Sequence, residues 1–150
     1  DLGSRGLGDV YKRQVLGNGG GAFPVMRRLT RLGLGGAQGP GSQWMSWLHI
    51  EDWVGIARFL METESVEGPV NLAAPNPVTN SSFMRAMRKR FAPFGLGLPA
   101  PTPLIHVGAV FLRTEPELVL KSRKVRSKVL DEQGYSFVAP TLEEALRKLR

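Results

Sequence analysis

The run Gln43–Met61, QWMSWLHIEDWVGIARFLM, holds the chain's three tryptophans, Trp44, Trp47 and Trp53, and one of its two histidines, His49. An imidazole at the end of a strand can contact a substrate, and it can equally hydrogen-bond the turn that follows. Indole rings can wall a pocket or pack a core. A second candidate is Gly17-Asn18-Gly19-Gly20-Gly21-Ala22, which fits the spacing G-x-G-x-x-A used to bring backbone close to a pyrophosphate. That motif needs a full strand before it and an acidic residue about 20 positions on. Only Val15-Leu16 precedes it here, and Ala37, Gln38, Gly39 and Pro40 stand where the acid belongs. The segment is therefore read as a flexible loop. The chain has no cysteine, which removes disulfides, thiolate metal sites and cysteine nucleophiles. No residue is assigned a catalytic or metal-binding role.

The elements that would position these groups follow from periodicity. Gln43 to His49 alternates as a strand, with Trp44, Ser46 and Leu48 on one side and Met45, Trp47 and His49 on the other. After a turn at His49–Asp52, Trp53, Ile56, Ala57, Leu60 and Met61 recur at helical spacing, an apolar stripe suited to packing on a sheet. Glu51 and Asp52 fall in the first turn, where the helix dipole favours negative charge. Upstream, a short helix is expected from about Ala22 to Leu32 with Arg27, Arg28 and Arg31 exposed, followed by a loop rich in glycine from Gly33 to Gly41.

Downstream, Glu67-Gly68-Pro69 is a turn and Pro69–Ala74 reads as a short buried strand. Ala74–Val78 is an extended loop, and Thr79 caps a helix to about Phe91 with Phe83, Ala86, Met87 and Phe91 as its stripe. Strand, turn and helix, repeated, are the pattern of a parallel α/β sheet. Residues 92–103 are a Pro- and Gly-rich connection, and Leu104–Leu112 suits a helix carrying His106. Ser127 can cap a short helix that Gly134 ends. Thr141-Leu142-Glu143-Glu144 is a capping box opening a last helix with Leu142, Ala145, Leu146 and Leu149 on one face, as a complete domain would end.

Composition bounds the rest. At 150 residues and 42% apolar content the chain can bury a sizeable core. No apolar run reaches the roughly 20 residues a membrane span needs, and no secretory signal is visible, so a cytoplasmic location is expected. The net charge of +7 could attract an acidic partner, but a solvated basic face is the simpler reading. Lys121, Arg123, Lys124, Arg126 and Lys128 have no aromatic residues between them to stack bases. Neither nucleic acid nor membrane is expected as a partner. Ser4–Gln14, SRGLGDVYKRQ, reads as the translation of a transposon-type sequencing adapter. Setting aside residues 1–14 removes three basic and two acidic residues, which lowers the charge from +7 to +6.

Several segments together resemble the C-terminal half of an atypical extended short-chain dehydrogenase/reductase, the branch called epimerase family proteins, some of them cell division inhibitors. They are Val15-Leu16-Gly17 with Gly19-Gly20-Gly21-Ala22, Leu32-Gly33-Leu34-Gly35-Gly36, Gln43-Trp44 with Ser46-Trp47-Leu48-His49-Ile50, Gly68-Pro69-Val70-Asn71 and Ala74–Asn80. Gly134-Tyr135 and Pro140–Ala145 match as well, so nearly all of residues 15–150 is covered. The resemblance implies an α/β fold: the C-terminal part of a Rossmann-like domain whose N-terminal half is missing. On that basis residues 1–14 are artefact, 15–98 are the C-terminal part of the NAD(P)-binding domain with substrate-side segments, and 99–150 are a small helical cap.

The family's glycine fingerprint and its Tyr-x-x-x-Lys pair are absent. Tyr11 has Val15 four places on, and Tyr135 has Ala139. The resemblance implies NADP or NAD as cofactor of the whole protein, with Val15 and Leu16 passing near the nicotinamide. It makes Trp44, Trp47, His49 and Asn71 the candidates for binding an unknown small-molecule substrate. Relatives that bind sugar nucleotides often carry an arginine four residues before this histidine, where this chain has Met45, which cannot fork onto a phosphate. The expected function is a truncated NAD(P)-dependent epimerase/dehydratase-like oxidoreductase, inactive as given and poorly soluble or loosely packed. The alternative is a non-enzymatic regulator of cell division acting through protein contacts. A homodimer of the full-length parent is compatible with either.

Overall fold

The computed structural model describes residues 15–19, 23–68, 70–92, 94, 97–99 and 127–150. The adapter-like segment, the helix expected over Leu104–Leu112 with His106, and Lys121–Arg126 lie outside the described residues. The chain divides into two compact units: residues 1–23, 46–77 and 125–150 form the first, and 24–45 and 78–124 the second.

In the first unit, β1 (Val15–Leu16) pairs in parallel with β3 (Leu48–His49), with Val15 opposite Leu48 and Leu16 opposite His49. Helix α2 (Ile50–Glu62) follows β3 directly, because His49 holds extended backbone at the N-cap and its side chain accepts the Glu51 N–H. Helix α4 (Lys128–Gln133) is capped by Ser127 and stopped by Gly134 at φ 74°, a left-handed angle that only glycine takes at little cost. Helix α5 (Leu142–Lys148) starts at Thr141, whose hydroxyl accepts the Glu144 N–H. The face expected on α5 is the buried one, with Leu142, Ala145, Leu146 and Leu149 all inside; on α2 the expected stripe is fully buried only at Ile56, and Met61, at its end, is 80% exposed.

In the second unit, α1 (Phe23–Arg31) ends in a Schellman turn. Gly33 N–H donates to Thr30 O and Leu34 N–H to Leu29 O, with Gly33 at φ 82°. Strand β2 (Trp44–Met45) pairs antiparallel with β4 (Val78–Thr79), and Thr79 caps α3 (Asn80–Phe91) by accepting the Ser82 N–H. This unit's core is rich in methionine: Met26, Met45, Met84 and Met87 are buried with Phe83 and Phe91. Flexible thioethers fill the gaps that a two-stranded ribbon and two helices leave.

Two expected strands differ. The single strand expected over Gln43–His49 is two short ones, because Trp44–Met45 and Leu48–His49 take different partners and the chain changes sheet at Ser46-Trp47. Residues 70–74 form no strand; Ala74 N–H to Trp47 O, at 2.8 Å, is the link made there. Pro75 and Pro77 follow, and neither can donate to a ladder.

Candidate functional site

Three of the six candidate residues, Val15, Leu16 and His49, lie in the β1/β3 pair. Val15 and Leu16 are buried and apolar, and β3 engages one edge of their backbone. His49 lies opposite Leu16 and is 2% exposed. Its Nδ1 accepts the Glu51 N–H at 3.1 Å, so the neutral ring carries its proton on Nε2. That Nε2 is buried and has no hydrogen-bond partner. Burial pushes the imidazole below the ordinary histidine range; Glu51 and Asp52 oppose the shift and Lys148 adds to it. The ring is therefore a neutral donor. At Gly17, just past β1, a Cβ would meet Ile50 Cβ at 3.3 Å, so the chain closes tightly over the strand ends.

The other candidates are placed differently. Trp47 is buried, and its Nε1–H donates to Asn76 O at 2.8 Å, so its one polar atom is engaged. Asn71 is exposed. Trp44 lies in the second unit, half-buried on β2 opposite Thr79. Met45 is also in the second unit, buried on β2. Its sulfur lies 3.3 Å from Asn80 Nδ2, which donates to it. Within the first unit the structure brings Val15, Leu16 and His49 together; Asn71 is exposed in that unit, and Trp44 belongs to the second.

The position that sequence reasoning missed is Asp52. It is fully buried, and its carboxylate accepts Tyr135 Oη at 3.0 Å, Val138 N–H at 2.7 Å and Ala139 N–H at 3.0 Å. One signal was available: Asp52 stands four residues before Ile56, on the buried stripe of α2, where a charge requires partners. Among the described residues no group of acidic side chains and histidines is placed to hold a metal ion.

Residues 100–149 match the family described as "Domain of unknown function (DUF1731)". The chain is 40% identical over 138 residues to the epimerase family protein SDR39U1 of Bos taurus, covering 90% of this chain and 45% of that protein. It superposes on the crystal structure of human epimerase family protein SDR39U1 with NADPH at a TM-score of 0.74 and 36% identity, over 89% of this chain and 44% of that one. A nucleoside-diphosphate sugar epimerase from Corynebacterium glutamicum gives a TM-score of 0.64 at 23% identity, over 88% of this chain and 23% of that one, a likeness of fold alone. The chain spans a little under half the length of the curated relatives it matches, 45% in the bovine case. The fold is accordingly α/β, matching the C-terminal part of Rossmann-like epimerase structures, and the chain's relatives are epimerase family proteins.

Proposed function

We propose that this chain is the substrate-side portion of an NAD(P)-dependent epimerase-like oxidoreductase, with the cofactor-binding half upstream of Val15. The observation that carries the reading is His49. A buried imidazole with a free Nε2–H, at the carboxyl end of parallel strands, stands where α/β sheets present groups to ligands. An unmet buried donor costs about 1–3 kcal/mol, so an acceptor belongs there, and a substrate hydroxyl or carbonyl oxygen suits a neutral donor. Met45, buried and turned to Asn80, supports a substrate other than a sugar nucleotide.

NADPH accompanies the human relative, and it is carried over here as cofactor of the whole protein. The described residues do not fit a dinucleotide by themselves. Val15 and Leu16 offer buried apolar side chains, and His49 is the nearby polar group with an unengaged atom. The phosphates and ribose would be held by residues outside this set, and the chain alone is expected to be inactive.

Amplifying the genomic locus with outside primers tests the reading. A glycine fingerprint and a Tyr-x-x-x-Lys pair should precede Val15, in place of Ser4–Gln14. Their loss would favour the protein-contact role in cell division. In the full-length protein, His49→Phe should raise KM or lower kcat for the substrate while NADPH affinity stays unchanged. An unaltered turnover would remove His49 from the site.

A further inference from the structure

The ends of α1 and α3 meet at one corner of the second unit. The guanidinium carbon of Arg31 lies 5.7 Å from the centroid of the Phe91 ring, and that of Arg90 lies 5.1 Å from it. Two loop segments cross at the same corner: Leu98 N–H donates to Gly33 O at 2.9 Å, and Gly36 N–H to Leu98 O at 3.1 Å. Arg88 Nη1 donates to Gly35 O at 2.9 Å and ties that crossing to α3. The crossing is close because both strands of it are glycine: a Cβ at Gly97 would stand 2.7 Å from Gly35 C.

The surface of this corner has an unusual make-up. Residues 24–45 and 78–99 contain Arg27, Arg28, Arg31, Arg85, Arg88, Lys89 and Arg90, and not one Asp or Glu. Of these, Arg28, Arg31, Lys89 and Arg90 end the two helices and are exposed. The same segments carry Leu32 (68% exposed), Leu34, Phe94 (87%) and Leu98 (66%), four of the seven exposed large apolar side chains among the described residues. Cations at helix C-termini complement the dipole, which accounts for their placing but not for the exposed apolar side chains.

We propose that this corner docks on an anionic lipid surface. A headgroup layer accepts both components at once: phosphate and carboxylate groups meet the arginines, and the apolar side chains enter the headgroup–acyl boundary. A nucleic acid would use the cations but gives leucines nothing to stack on. The expectation of no membrane partner rested on span length alone. Among the described residues no helix is long and apolar enough to cross a membrane, and a peripheral contact needs none.

Sedimentation of the 150-residue chain with phosphatidylcholine vesicles, with and without phosphatidylserine, tests the proposal. Binding should require the serine lipid and weaken as salt rises. Arg31→Glu with Arg90→Glu should lose at least about 25-fold, at about fivefold per cation removed. Phe94→Ser with Leu98→Ser should lose about tenfold or more. Lys128→Glu makes the same kind of charge change on the first unit and should bind as wild type. Far-UV circular dichroism checks each variant, and Arg28→Glu with Lys89→Glu carries the charge arm if the residues beside Phe91 prove essential to folding. Equal binding to neutral vesicles, an equal loss with Lys128→Glu, or duplex DNA captured just as well with Phe94→Ser and Leu98→Ser in place would each overturn the proposal.

Discussion

Tyr135 Oη donates to Asp52 Oδ1 at 3.0 Å across 83 positions of sequence, and Gly55 leaves the space that oxygen occupies. A Cβ at Gly55 would stand 2.5 Å from it. Phe59 and Phe137 meet the Tyr135 ring edge-on, with centroids 5.4 and 5.0 Å away. Since Val138 and Ala139 also donate to the Asp52 carboxylate, the first turn of α2 acts as the clamp for residues 135–139. Burial first, then the Asp52 charge and its hydrogen bond, holds the Tyr135 phenol protonated well above the ordinary tyrosine range.

Removing one side of the clamp should cost more than removing the other. Asp52→Asn replaces an oxygen that accepts a backbone N–H with an NH2 group, which leaves donors facing donors in the interior. A loss of about 3 kcal/mol is expected in urea unfolding. Tyr135→Phe gives up one hydrogen bond and should lose about 1 kcal/mol. Similar losses from both would mean that the backbone donors of Val138 and Ala139 find other acceptors.

Gly55→Ala sets two effects against each other. Alanine is about 1 kcal/mol better than glycine inside a helix, while overpacking against Tyr135 Oη costs about 1–3 kcal/mol. In the native background the variant should be destabilised. With Tyr135→Phe already made, the nearest remaining ring carbon is 3.6 Å away, an ordinary contact, and the same substitution should be neutral or stabilising. A double-mutant cycle reads the difference, and additivity would mean the hydroxyl does not occupy that space.

The helices were legible because their ends are local. Thr79, Ser127 and Thr141 cap as their types suggest, and Gly134 stops α4 at the angle glycine allows. Of the two alternatives for His49, the hydrogen bond to the turn was legible, and Nδ1 makes it. Pairing was not legible. Alternation through Trp44–His49 shows which side chains share a face, and it cannot show that Met45 takes Val78 while Leu48 takes Val15. Asp52 reads in the sequence as a dipole charge because its partners lie 83 to 87 positions away.

The glycines of the two units are not equivalent, which gives a stability test. A Cβ at Gly36 would stand 2.5 Å from the Leu98 backbone, which cannot swing aside as a side chain can. At Gly19, in the first unit, nothing lies within 4 Å. Gly36→Ala should therefore lower stability by about 2 kcal/mol or more, and Gly19→Ala should change it by less than about 0.5 kcal/mol. Matching thermal melts for the two variants would show that the 33–36 and 97–98 segments do not cross as described.

Acid should weaken the first unit through His49. Its pKa is lowered in the folded chain from 6.5, so below that value the unfolded chain takes up a proton that the folded chain resists. The stability from this group is complete above pH 6.5 and is lost as pH falls through the folded value. With His106→Gln in place, His49 is the one histidine left, and its ring proton resonances should titrate with a midpoint below 6.5. His49→Gln has no titrating ring, so it should flatten the fall in stability across the same window. Glu51 and Asp52 pull the midpoint up, and burial outweighs them only while Nε2 stays shut from water. A midpoint at or above 6.5 would mean that water or an anion reaches the ring, and the neutral-donor role assigned to His49 would fall with it.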